Sequence, residues 1–113
     1  MVTPSAGSVV LVPFPFSDLS RSKLRPAVAL ADVGRGDWIL CQITSKSYSD
    51  ALAVGLTAAS FAKGSLHLDS YARPGKLFTA NQSLMVREVG TLKGETLGKV
   101  VDAVVELLRS GLT

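Results

Sequence analysis

A chain of 113 residues suits one domain with a single modest core and is too short for two. Its hydrophobic fraction of 47% and charged fraction of 19% exclude a disordered chain and a coiled coil. The net charge of +3 is unevenly placed: residues 94–113 carry two basic and three acidic side chains and residues 1–93 carry ten and six, so the positive excess lies early and favours polyanionic partners.

No apolar run reaches the roughly 20 residues that span a bilayer, and the opening MVTPSAGS has neither the basic nor the apolar region of a signal peptide, so the expected location is cytoplasmic, with no membrane partner. Cys41 is the only cysteine, which excludes an intrachain disulfide; inside an apolar strand it reads as a small buried side chain.

In chain order, apolar runs at residues 8–14 and 26–30 predict two strands flanking a polar loop that carries Arg21, Lys23 and Arg25, with Pro13 and Pro15 stiffening its entrance. Arg25 precedes Pro26, which pushes its backbone toward an extended conformation where loop becomes strand. Asp32-Val33-Gly34-Arg35-Gly36-Asp37 has the chemistry of a hairpin turn. Residues 38–44 form the third predicted strand, apolar on nearly both faces as in the middle of a small barrel, and ending in Thr44. Lys46 opens a polar loop to residue 50, and a short strand follows at 52–56. Residues 57–64 fit either a helical turn or a loop. Residues 65–79 read as strand, break at Pro74-Gly75, and edge strand, with Arg73 and Lys76 flanking the break. Residues 84–89 suggest one more strand. Leu97, Val100, Val101, Val104, Leu107 and Leu108 recur at helical spacing, with Gly111 as a stop. The expected fold is mainly β with a C-terminal α-helix: a small, curved, SH3-like antiparallel barrel in a single domain, residues 1–113.

One histidine, one cysteine and no acidic cluster do not compose a usual zinc site, and no glycine-rich phosphate loop with a lysine occurs, so no metal and no cofactor are expected. An arginine, hydroxyls and a basic loop suffice for RNA cleavage by internal attack of a ribose 2′-OH, which needs phosphate positioning, charge stabilisation and two proton transfers. A guanidinium can hold two phosphate oxygens at once and stays charged when partly buried. By residue type alone, Arg25 fits equally a solvated arginine or a partner of Asp18, and Thr44 a strand-end residue chosen for its β-propensity.

The first strand from Gly7, the polar loop, Arg25-Pro26, the Cys41-Gln42-Ile43-Thr44-Ser45 strand end, the block from Asp69-Ser70 to Thr79 and the final helix together resemble the MazF/PemK toxins of bacterial toxin-antitoxin systems. The resemblance implies the same fold and a metal-independent endoribonuclease, an mRNA interferase leaving 2′,3′-cyclic phosphate and 5′-hydroxyl ends, with Arg25 and Thr44 as its catalytic pair. It suggests Arg73 as a further catalytic arginine. The acid that some members carry two positions later is Gly75 here, unless Asp69 folds in, and His67 is a candidate general base whose other reading is structural. It implies RNA contacts from Phe16, Ser17, Asp18, Ser20, Arg21 and Lys23, with Lys46 and Lys76 as further basic candidates. It also implies a homodimer, single-stranded RNA as substrate, a cognate antitoxin, and DNA binding by the toxin–antitoxin complex. The alternatives are a non-catalytic toxin of this fold that grips a protein such as DNA gyrase through its C-terminal helix, and a silent RNA-binding module.

Overall fold

The computed structural model describes residues 2–15, 22–46 and 50–112. Seven strands, β1 (Ser8–Pro15), β2 (Ser22–Gly34), β3 (Asp37–Thr44), β4 (Val54–Leu56), β5 (Phe61–Gly64), β6 (Ser70–Asn81) and β7 (Arg87–Leu92), precede one helix, α1 (Gly94–Ser110). They form one antiparallel sheet in the order β4-β6-β3-β2-β1-β7-β5. The mainly β architecture with one C-terminal helix matches the sequence expectation. Among the described residues no helix is long and apolar enough to cross a membrane.

Strand alternation builds two cores, one on each face of the sheet. Val9, Val28, Cys41, Ile43 and Ala72 pack on the side covered by Leu97 and Val100 of α1. Val10, Val12, Ala27, Ala29, Trp38 and Leu40 pack on the other, against Ala80 and Met85. β3 is therefore buried on both faces, as its apolar alternation predicts.

The hairpin between β2 and β3 turns through Arg35 and Gly36, both at positive φ (57° and 81°), as a two-residue turn compatible with strand twist requires. Asn81 holds the non-glycine Arg35 there: its side-chain amide donates to the Arg35 carbonyl at 3.1 Å and to Asp37 Oδ1 at 3.0 Å.

Several boundaries differ from the sequence reading. β2 runs 13 residues rather than the five of 26–30, so Lys23, Leu24 and Arg25 are strand residues opposite Phe14, Pro13 and Val12. Pro26 is tolerated because the β3 ladder begins only one residue later, at Ala27–Gln42. Residues 57–64 resolve into a 3-10 turn, Ala58–Ser60, capped reciprocally by Thr57 and Ser60, and then β5. β6 is continuous where a break was expected. Ala72 pairs with Ile43 and Leu77 with Cys41, so residues 73–76 oppose Gln42 alone, and this bulge absorbs a buried Pro74 and an exposed Gly75. The last predicted strand starts at Arg87, because Gln82–Leu84 forms a 3-10 turn capped by Asn81. In α1 the apolar stripe divides: Val100 is buried, whereas Val101 and Leu108 are exposed.

Cys41 is buried, and its thiol donates to the Arg73 carbonyl at 3.1 Å. Burial pushes its pKa from 9.0 up to about 12. The folded protein thus retains a proton that the unfolded chain releases. Stability from this group is complete below pH 9 and declines toward pH 12, by up to about 1.4 kcal/mol per pH unit. Alkaline denaturation of Cys41→Ala, compared with the parent between pH 8 and 10.5, should show a shallower decline.

Candidate active site

β2 and β3 bring two distant residues side by side. The β2–β3 ladder ends at Ala27–Gln42, and Arg25 and Thr44 each lie two residues beyond that pair, on the face it shares, at the same end of the sheet. On its other side Arg25 faces Val12 in β1, while Thr44 pairs with Tyr71 in β6 and Tyr71 with Gly55 in β4. One row across one face of the sheet therefore reads Val12, Arg25, Thr44, Tyr71, Gly55. Val12 belongs to the second core, Arg25 and Tyr71 are half-buried, and Gly55 is exposed.

Thr44 is 8% exposed, and its Oγ1 accepts the Lys46 backbone N–H at 3.2 Å. A hydroxyl that accepts one such bond still has its own proton to donate. The hydroxyl is thus fixed by the chain yet chemically available.

At the end of these strands lies a hollow of about 240 Å³, lined by Lys23, Arg25, Thr44, Ser45, His67 and Ser70 with Leu24, Pro26, Ile43, Leu66 and Leu68. It gathers Lys23, Arg25, Thr44 and His67 at one place. His67 is exposed and also lines an adjoining hollow of about 380 Å³ with Arg87 and Glu88.

Other candidates lie elsewhere. Arg73 does not line the hollow: its Nε sits 3.7 Å from Asp50 Oδ2. The acid beside Arg73 is therefore Asp50, 23 residues earlier in the chain, rather than Asp69, which is exposed and outside the lining. Lys46 contributes a backbone N–H, and Lys76 is exposed in the β6 bulge. Phe16, Ser17, Asp18, Ser20 and Arg21 lie outside the described residues. Tyr71, which sequence reasoning did not single out, also lies outside the lining but stands beside Thr44 through the pairing of β3 with β6. Among the described residues no three His, Cys, Asp or Glu side chains form a group that could hold a metal ion.

The sequence matches the family model of PemK-like, MazF-like toxins of type II toxin-antitoxin systems over residues 5–108. No curated protein matches it. Among solved structures, the fold is similar to the MazE–MazF complex of Deinococcus radiodurans, with a TM-score of 0.75 at 19% identity over 96% of this chain and 97% of that one. It is also similar to an endoribonuclease in complex with its cognate antitoxin from a Mycobacterial species (TM-score 0.71, 14% identity, 96% and 95% covered). A third similar structure is the Mycobacterium tuberculosis toxin MazF-mt6 (TM-score 0.71, 16% identity, 90% and 96% covered). At such identities the structural likeness speaks for the fold alone, whereas the family model spans nearly the whole sequence: the chain belongs to the PemK-like, MazF-like toxins of type II toxin-antitoxin systems.

Proposed function

We propose that this toxin is a metal-independent endoribonuclease that cuts single-stranded RNA, chiefly mRNA, at short sequences. The observation that carries this reading is the placement of Arg25 and Thr44 on neighbouring strands, on one face, at one hollow with Lys23. The guanidinium of Arg25 binds the non-bridging oxygens of the scissile phosphate, where charge grows in the transition state. Thr44 donates a hydrogen bond from its hydroxyl to the same phosphate and is held in place by the Lys46 N–H. The 2′-oxygen loses its proton and bonds to phosphorus. The P–O5′ bond breaks, and the departing 5′-oxygen takes up a proton from water, leaving a 2′,3′-cyclic phosphate and a 5′-hydroxyl. His67 lines the hollow and is the side chain assigned to the 2′-proton. Arg73, tied to Asp50, supports the fold around the site.

The test is incubation of purified protein with an unstructured RNA in excess chelator, followed by end analysis. Cleavage that persists with chelator, gives cyclic phosphate ends and disappears in Arg25→Ala supports the assignment. Uncut RNA with the parent protein overturns it.

The same reading has the toxin act as a cytoplasmic homodimer, neutralised by a cognate antitoxin. The solved Deinococcus and Mycobacterial relatives are themselves seen with antitoxins, and the basic excess of residues 1–93 suits an acidic, flexible segment.

One observation favours the rival, protein-gripping reading. Val101, Val104, Val105 and Leu108 of α1, with Leu30, Ala31, Ile39 and Leu77, line an apolar hollow of about 260 Å³, and Leu108 is 64% exposed. Under the nuclease reading, Leu108→Asp leaves RNA cleavage by the purified protein within about twofold of the parent. Growth arrest lost in that variant while RNA cleavage persists would move the toxic act to the helix.

A further inference from the structure

The row that carries Arg25 and Thr44 does not stop at the hydroxyl. Tyr71 is the direct cross-strand neighbour of Thr44, and beyond it Gly55 offers no side chain. A Cβ built on Gly55 meets nothing within 4 Å, so the space beside the tyrosine is open. The half-buried Tyr71 thus has Thr44 on one flank and an empty shelf on the other. Strands about 4.8 Å apart put the ring one strand from the hydroxyl and two from the guanidinium, a reach within which one nucleotide can carry its phosphate and its base.

We propose that Tyr71 and Gly55 form a stacking shelf for a nucleobase, which receives the base adjoining the scissile phosphate; this rests on the RNA-cleavage reading of Arg25 and Thr44. Splayed bases of single-stranded RNA stack on aromatic rings with little sequence preference, and a glycine beside the ring keeps its face uncovered. A side chain at position 55 would occupy the space a base needs. Gly55 has no positive φ and open surroundings, so the fold accepts such a side chain. The shelf can therefore be closed without disturbing the sheet.

The experiment measures binding of a single-stranded RNA blocked by a 2′-O-methyl group at its cleavage position, alongside the same RNA made abasic at the neighbouring nucleotide. Tyr71→Phe keeps parental affinity, whereas Tyr71→Leu and Gly55→Val each bind the intact RNA about tenfold or more weakly. The parent binds the abasic RNA as weakly as the variants do, and the variants lose nothing further on it. Gly55→Val keeps a parental or higher melting temperature, because a β-branched residue suits an open strand position. Parental affinity for the intact RNA in Tyr71→Leu, or in a folded Gly55→Val, overturns the shelf. If Arg25→Ala abolishes cleavage while the shelf variants change nothing, the shelf alone falls. A parent that binds RNA without ever cutting it removes the nuclease reading, and one that binds no RNA removes both.

Discussion

Arg25→Ala should lower RNA cleavage by at least about a thousandfold while leaving the melting temperature close to that of the parent. Removing one preorganised donor from a developing oxyanion commonly costs 10²–10³ in rate, and a guanidinium supplies two charge-assisted donors. The fold should survive the change because Arg25 is half-buried at the strand end, while its cross-strand neighbour Val12 is held by the second core. Arg25→Lys should recover only a small part of the rate. It restores the charge without the planar fork that holds two oxygens in a fixed geometry. Single-turnover cleavage of a labelled RNA in chelator, with parallel melting curves, checks both variants. Cleavage by Arg25→Ala within tenfold of the parent would remove the guanidinium from the chemistry.

Gly90→Ala should cause a large loss of stability for a single-methyl change: about 3 kcal/mol, and a melting temperature lower by about 10 °C or more. Gly90 is buried in β7 between β1 and β5, opposite Val9 on one side and Gly64 on the other. A Cβ there would stand 2.7 Å from the Lys63 carbonyl oxygen and 2.8 Å from Phe61 Cδ2. The carbonyl is main chain and cannot rotate aside, so β5 must be pushed away from the sheet, opening the core beneath Phe61. Gly98→Ala is the matching control. It adds the same methyl to the middle of α1, where nothing lies within 4 Å, and should stabilise by about 0.5–1 kcal/mol. Thermal melts of the two variants compare close approach with open space directly.

Local chemistry made much of the fold readable in advance. Glycines on either side of Arg35 specify the β2–β3 turn, and the apolar alternation of residues 38–44 specifies a strand buried on both faces. Where tertiary packing overrides local preference, the reading fails. Pro74-Gly75 looks like a break, yet the bulge opposite Gln42 and the close approach of Leu107, 3.6 Å from a Cβ built on Gly75, let β6 run through. The α1 stripe reads as one buried face, but the sheet beneath covers only part of it and leaves Val101 and Leu108 exposed. The site shows the same division. Arg25 and Thr44 could be named from the resemblance and their positions beside strand ends. Tyr71 and the Asp50–Arg73 pair could not, because each depends on contacts between segments more than 20 residues apart.

β2 and β3 are inner strands, with neighbours on both sides. Inner strands open only at free energies near that of global unfolding, whereas sheet margins such as β4 and β5 fray far more readily. Under the proposed reading, the strands that carry Arg25 and Thr44 therefore stay together for as long as the chain is folded. On that reading, loosening the rim leaves the cleft intact, and restraint comes from a molecule that sheathes it or from unfolding of the entire protein.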